Sequence, residues 1–298
     1  MQRVVLSIFI LWFVLTITFF ILRILPGDAI SAQLAIAGAT SSEIEERRQD
    51  LGLNSSLPSQ YIDYLVRLIH GDMGQSLVTG LPVSQMIVQQ LPKTAELATG
   101  ALFISCILGL SLGMLATLSN QRLLVSLCNL LITVAIATPI YWTGTLLIAL
   151  VVVELKVLPL IGSEFAGLIL PIGLLGFHIS GAIARMTKIN IGEIIHSDYI
   201  RTAHSKGLPS RLIFRRHVLR NALIPIISII ALQTGFLFSG TVITETLFSR
   251  AGLGNLLLTA TRNQDYPLVQ GLVIFSAFIY ICANLIGEAL QKLIDPRV

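Results

Sequence analysis

The chain has 298 residues, of which 54% are hydrophobic and only 12% are charged, where a soluble domain carries about 25% charge. With a mean hydropathy of +0.82, this excludes an ordinary soluble enzyme and points to a membrane protein. The formal net charge of +4 is modest, so its distribution along the chain matters more than its sum.

A helix needs roughly 20 apolar residues to cross the hydrocarbon core. Six stretches qualify, at about Val4 to Leu25, Leu97 to Leu118, Leu123 to Val153, Phe165 to Met186, Ala222 to Leu247 and Leu268 to Leu290. Arg3 and the small residues Ala29 and Ser31 give the first stretch some likeness to a cleaved signal peptide. Its apolar run is longer than the usual ~7–15-residue core of such a peptide, so a retained span is expected. The third stretch is long for one crossing, and a tilt plus a kink at Pro139 is expected to absorb the excess. The predicted class is therefore an all-α polytopic membrane protein with six transmembrane helices.

Arginine and lysine orient these spans. The segment from Arg185 to Ala222 holds Arg185, Lys188, Arg201, Lys206, Arg211, Arg215, Arg216 and Arg220 against Glu193 and Asp198. Arg122 lies in the loop between the second and third spans, and Arg3, Lys292 and Arg297 lie near the ends. Six spans put all of these on one side, expected to be the cytoplasm together with both termini. This divides the chain into a first helix over residues 1–25, an extracytoplasmic helical segment over 26–93, and a five-helix core over 94–298 with a cytoplasmic loop at 187–221.

The outer segment predicts two short helices. "SSEIEERRQDLG" has Ser42 and Glu45 at capping-box spacing and Gly52 at its end. In "LPSQYIDYLVRLIHG", Pro58 suits a first turn, Tyr61, Leu65, Leu68 and Ile69 share one face, and Gly71 stops the helix. Such helices fit packing on the membrane rim as well as docking of an external partner. The inner segment predicts one helix from about Gly192 to Lys206, ended by Gly207, and another from Pro209 to about Asn221. Composition alone leaves lipid-surface binding and partner docking equally open for it.

Other motifs lack the context that would make them chemical. Ser111 sits in "GLSLG", but deep in an apolar span rather than at a strand-to-helix elbow. Gly109 and Gly113 there make a G-x-x-x-G pair suited to close helix packing. His178 has Ser180 nearby but no acid, and is expected at a helix contact or lining a pore rather than as a base. Cys106, Cys128 and Cys282 fall in apolar runs with neither metal-ligand nor disulfide spacing. No phosphate-binding G-x-x-x-x-G-K-[ST] loop and no H-E-x-x-H is present. No cofactor, metal or nucleic-acid site is expected. Glu96, Glu154 and Glu245 lie near predicted span ends, and this scarcity of mid-membrane charge argues against an ion-coupled carrier or channel, the competing class.

The inner segment also carries a sequence resemblance. "DYIRTAHSKGLPSRLIFRRHVLRNALIP" is similar to the cytoplasmic loop of permease subunits of bacterial ATP-binding-cassette importers, in the dipeptide, oligopeptide and nickel branch, first-permease type. The matching residues are Asp198, Tyr199, Arg201, Thr202, Ala203, Lys206, Gly207 and Leu208, then Arg216, His217, Leu219, Arg220, Asn221, Ala222, Leu223, Ile224 and Pro225. Arg201-Thr202-Ala203 stands where the wider superfamily has Glu-Ala-Ala, and the gap from Gly207 to Pro225 is wider than in the general motif. Both departures resemble the peptide and nickel branch. "LPGDAI" near Pro26, "LGLNSSLPSQYIDYLVRLIHGDMGQS", "ETLFSRAGLGNLLLTATRNQDYPLVQG" and the closing "DPRV" resemble further family blocks in order. Arg250-Ala251 replace the family's usual aromatic-proline pair.

The resemblance implies a type I importer fold in the bacterial inner membrane, with a second homologous permease as heterodimer partner. It also implies two ATPase subunits that carry out the hydrolysis and an extracytoplasmic substrate-binding protein. Asp198, Tyr199, Arg201, Thr202, Ala203, Lys206, Gly207 and Leu208 would form the ATPase-coupling segment, about Ile195 to Lys206 being the coupling helix. Arg216, Arg220, Asn221 and Pro225 would close the loop, with Arg211, Arg215, Arg216 and Arg220 touching lipid headgroups. Peptides or a related small solute, including a nickel chelate, are the implied cargo.

Overall fold

A computed structural model describes residues 2–24, 40–50, 55–158 and 166–294. The expected Gly52 stop, "LPGDAI" and "DPRV" lie outside these residues. In chain order the helices are α1 (Gln2–Ile24), α2 (Ser41–Asp50), α3 (Leu57–Ile69), α4 (Val83–Leu118), α5 (Arg122–Ala137), α6 (Ile140–Ile148) and α7 (Ala166–Ile195). They continue as α8 (Asp198–Ser205), α9 (Ser210–Ile213), α10 (Leu219–Gly240), α11 (Val242–Leu247), α12 (Leu253–Arg262) and α13 (Tyr266–Ile294). One isolated antiparallel bridge, Gln75 with Pro82, is the only β pairing among the described residues.

Five helices are long and apolar enough to cross a membrane, or six if one bent pair counts as a span. That pair corrects the third predicted span. Arg122–Ala137 and Ile140–Glu154 meet at 106°, far more than a tilted, kinked rod. Thr138 is extended (ψ 137°) and so is Pro139 (ψ 133°). The residue before a proline is pushed out of the α region, so the helix ends there and restarts. The fifth predicted span is corrected as well. The spanning stretch runs Ser210–Phe238, and Val242–Leu247 forms the separate α11.

The chain forms two compact units. One takes residues 1–93 and 251–278. Its core is Val83, Ile87, Leu253, Ala260, Leu268, Val269 and Leu272. Phe19 of α1 is fully buried against Tyr61 and Tyr64 of α3, with ring centroids 5.2 and 5.5 Å away. The Arg23 guanidinium lies 3.7 Å from the Phe19 centroid, a cation–π geometry, and Arg23 Nε donates to Gln60 Oε1 at 3.0 Å. Burial pushes the Tyr64 phenol well above its ordinary range. The inward face of α3 is thus Tyr61, Tyr64, Leu65 and Leu68, whereas Ile69 is 83% exposed. The periodic reading that placed Ile69 inward missed Tyr64. The α2 cap also sits two residues earlier than expected. The Thr40 backbone N–H and hydroxyl donate to Glu43 Oε2 at 2.7 and 2.9 Å, and these bonds hold the Glu43 carboxyl below its usual range. Thr40 and Glu43 share the T-x-x-E spacing, so Ser42 and Glu45 were a competing register of the same pattern.

The other unit takes residues 94–250 and 279–298. Its core joins Leu97 and Ala101 of α4 to Leu175, Ile179, Ile183 and Ile191 of α7 and Ala222, Ile226 and Leu237 of α10. A Cβ on Gly113 would stand 2.6 Å from both the Ala184 carbonyl and Thr187 Cβ, and one on Gly109 would stand 2.7 Å from Ile183. The G-x-x-x-G pair therefore lets α4 and α7 touch backbone to side chain, while Ser111 faces outward.

Candidate functional site

The basic loop of the sequence folds as a short helix held between two long ones. α7 does not end near Met186 with a new helix from Gly192, as expected, but runs unbroken to Ile195. Only His196 and Ser197 separate it from α8, where Ser197 is extended (ψ 152°). The helix expected over Ile195 to Lys206 is therefore shorter, spanning Asp198–Ser205. Its end is a Schellman turn. Gly207 has φ +75°, its N–H donates to His204 O at 2.9 Å, and the Leu208 N–H donates to Ala203 O at 3.3 Å.

α8 is strongly two-faced. Ile200 and Ala203 are 2% and 8% exposed and belong to the core of their unit. Asp198, Tyr199, Arg201, Thr202 and Lys206 are exposed. Arg201 pairs with Asp198 at 3.6 Å, one helical turn apart and open to solvent, a geometry that contributes little stability. The Thr202 hydroxyl donates to Asp198 O at 2.9 Å.

The second half of the loop is not a separate helix ending at Asn221. Ser210–Ile213 passes through a π turn at Phe214–Val218 directly into α10. Ile213 and Val218 are each 2% exposed and join the same core. Arg211, Arg215, Arg216 and Arg220 remain exposed around them. Asn221 Nδ2 donates to the Tyr199 hydroxyl at 3.1 Å, so residues from the two halves of the motif meet across the turn. Pro225 lies inside α10, where it lacks the N–H that would bond Asn221 O. Beside it, Gln291 of α13 donates to Ile224 O at 3.1 Å and bonds the Ser228 hydroxyl.

Three polar contacts were missed from sequence. Glu245, expected near a wet span end, is fully buried. It accepts from the hydroxyls of Thr94 at 2.7 Å and Thr241 at 3.0 Å. Arg250, the departure noted in the sequence, reaches Glu96 Oε2 at 2.9 Å. In the other unit Asp265 is 1% exposed, accepting from the Ser76 hydroxyl at 2.5 Å and the Leu77 N–H at 3.1 Å. Apart from Thr241 with Glu245, the pairs are over 150 residues apart in sequence, so only an expectation that buried carboxylates find hydroxyl partners could have flagged them. His178 bridges helices as expected. Its Nδ1 donates to Ala135 O at 3.0 Å and its Nε2 pairs with the Thr143 hydroxyl at 2.6 Å. Among the described residues no cluster of His, Cys, Asp and Glu has the geometry to hold a metal ion.

The family model described as "Binding-protein-dependent transport system inner membrane component" matches residues 109–298. Its N-terminal counterpart matches residues 1–98. The chain belongs to this family. It is a multi-pass inner-membrane permease subunit of the ABC importer type. A probable D,D-dipeptide transport system permease of Escherichia coli is 35% identical, with 96% of this chain and 92% of that one covered. A glutathione transport system permease of Pectobacterium atrosepticum is 33% identical, covering 96% and 93%. In fold, the permease resembles a chain of the MetNI methionine ABC transporter solved in inward-facing conformations, with a TM-score of 0.55 and 19% identity over 70% of this chain and 97% of that one.

Proposed function

We propose that the permease forms half of a pore for peptide-sized solutes, paired with a second, homologous permease. An external binding protein delivers the solute, and two ATPase subunits hydrolyse ATP and move the pore through α8. The single observation that carries the coupling role is the division of α8. Ile200 and Ala203 seat it in the core, while Asp198, Tyr199, Arg201, Thr202 and Lys206 are exposed and open to a partner groove. Arg201 and Lys206 supply charge-assisted donors there.

The geometry suits transmission of force. Two residues join α8 to α7, and the Schellman turn plus a short helical run join it to α10. A push on α8 is therefore delivered to two spans without a slack loop to absorb it. Such coupling needs a partner that binds the two pore states with different affinity. The dipeptide and glutathione permeases among the relatives support peptide-sized cargo. The positive-inside distribution supports a cytoplasmic α8 and cytoplasmic termini. Arg211, Arg215, Arg216 and Arg220, exposed at the start of a span, are placed to meet lipid headgroups and to hold that orientation.

The test is reconstitution of the permease with its second permease, ATPases and binding protein in proteoliposomes. Gly207→Asp keeps open space around the new side chain but forces it to φ +75°. Substrate-stimulated ATPase activity is expected to fall by tenfold or more while assembly persists. Unchanged activity would overturn the coupling role.

A further inference from the structure

Between α4 and α5 the chain turns through Ser119–Gln121 and leaves a cavity of about 310 Å³. Ser119, Asn120, Arg122, Val125, Ser126 and Asn129 line it, and none is acidic. Arg122 is exposed and enters no ion pair among the described residues. A second cation stands behind the lining, where Lys188 Nζ donates to Asn129 Oδ1 at 2.7 Å. The hydroxyls, amides and guanidinium of this set are mostly donors suited to an oxyanion.

The adjoining residues are of the opposite character. Leu118, Leu123, Leu127 and Leu130 are 44%, 84%, 50% and 58% exposed. In a chain of membrane spans, such exposed leucines are suited to hydrocarbon. The cavity thus brings phosphate-binding groups to the edge of an acyl-chain surface. Its volume, at the low end for a ligand site, suits a headgroup rather than a protein segment.

We propose that this cavity holds the phosphate of an anionic phospholipid, with Arg122 as its fork-shaped donor and the lipid chains lying along the exposed leucines. The phosphate chemistry is shared with free inorganic phosphate, but the leucine surface favours the lipid. Arg122 carries the charge, and Ser126 leaves the space.

Native mass spectrometry of the full chain, equilibrated with phosphatidylglycerol or phosphatidylcholine in detergent, tests this. The wild type is expected to retain phosphatidylglycerol in preference. Arg122→Gln is expected to lower that retention about fivefold, the equivalent of about 1 kcal/mol per basic residue at a membrane surface. Ser126→Phe, which fills the cavity without changing charge, is expected to lower it as much. Both positions are exposed, so both variants are expected to fold. Lys206→Gln, at an exposed cation assigned to a partner groove and not to lipid, serves as a control and is expected to leave retention unchanged. Equal retention of the two lipids, unchanged retention in either cavity variant, or an equal loss in the control overturns the site. Displacement of the lipid by millimolar inorganic phosphate overturns the lipid assignment in favour of the free anion.

Discussion

Helix α8 and the buried carboxylates use the same polar residue types in opposite ways. On α8, Asp198, Arg201 and Lys206 point outward and their one mutual ion pair is open to solvent. Glu245 and Asp265 are sealed from solvent, each held by a hydroxyl donor far away in sequence, Thr94 and Ser76 respectively. A buried acceptor loses its hydration, so its partners must be present and close. An exposed polar side chain has no such requirement, which leaves it available to another molecule. The difference separates residues that hold the permease together from residues left open to solvent.

The largest way to break this comparison is Glu245→Ala. It removes the acceptor of two buried hydroxyls, Thr94 and Thr241, and is expected to cost about 2–4 kcal/mol. Thermal unfolding in detergent would show it as a clear drop in Tm, with Glu245→Gln milder because an acceptor oxygen remains. Next is Asp265→Ala, which takes the acceptor from Ser76 and the Leu77 N–H. About 2 kcal/mol is expected from the same measurement. Smallest in stability is Arg201→Gln on α8. Exposed pairs contribute about 0–1 kcal/mol, so Tm is expected to stay within error while substrate-stimulated ATPase activity of the assembled transporter falls severalfold. A destabilised Arg201→Gln, or a wild-type-like Glu245→Ala, would dissolve the distinction.

Much of this contrast was legible before any coordinates. Hydropathy found the spans, because hydrocarbon thickness imposes a length that sequence shows directly. Gly207 was legible as a helix end, because a left-handed residue after a short amphipathic stretch favours glycine. Two other helices close by the same turn without it. Ser249 (φ 50°) and Gln264 (φ 54°) occupy the left-handed position after α11 and α12, and no residue preference would have announced either. Pro139 was seen as a kink and is a break, because the extent of bending depends on what the flanking helices pack against. Glu245 was misjudged for a related reason. Its burial is decided by Thr94, on a helix read separately, and a one-dimensional pattern carries no information about that pairing. The exposed face of α8 was easier to read because it depends on α8 alone, with Ile200 and Ala203 marking the hidden face.

The π turn at Phe214–Val218 has a consequence for chain length. A π turn is an α-helix that has swallowed one additional residue. The flanking turns keep their facing, so Ile213 and Val218 both reach the core although an ordinary helix would set them 500° apart at about 100° per residue. A related chain one residue shorter at this place would close into plain α-helix with Leu208 and Ala222 still on their own faces. The wide spacing between Gly207 and Pro225 is therefore tolerant by construction, and counting residues across it gives a poor measure of distance along the helix.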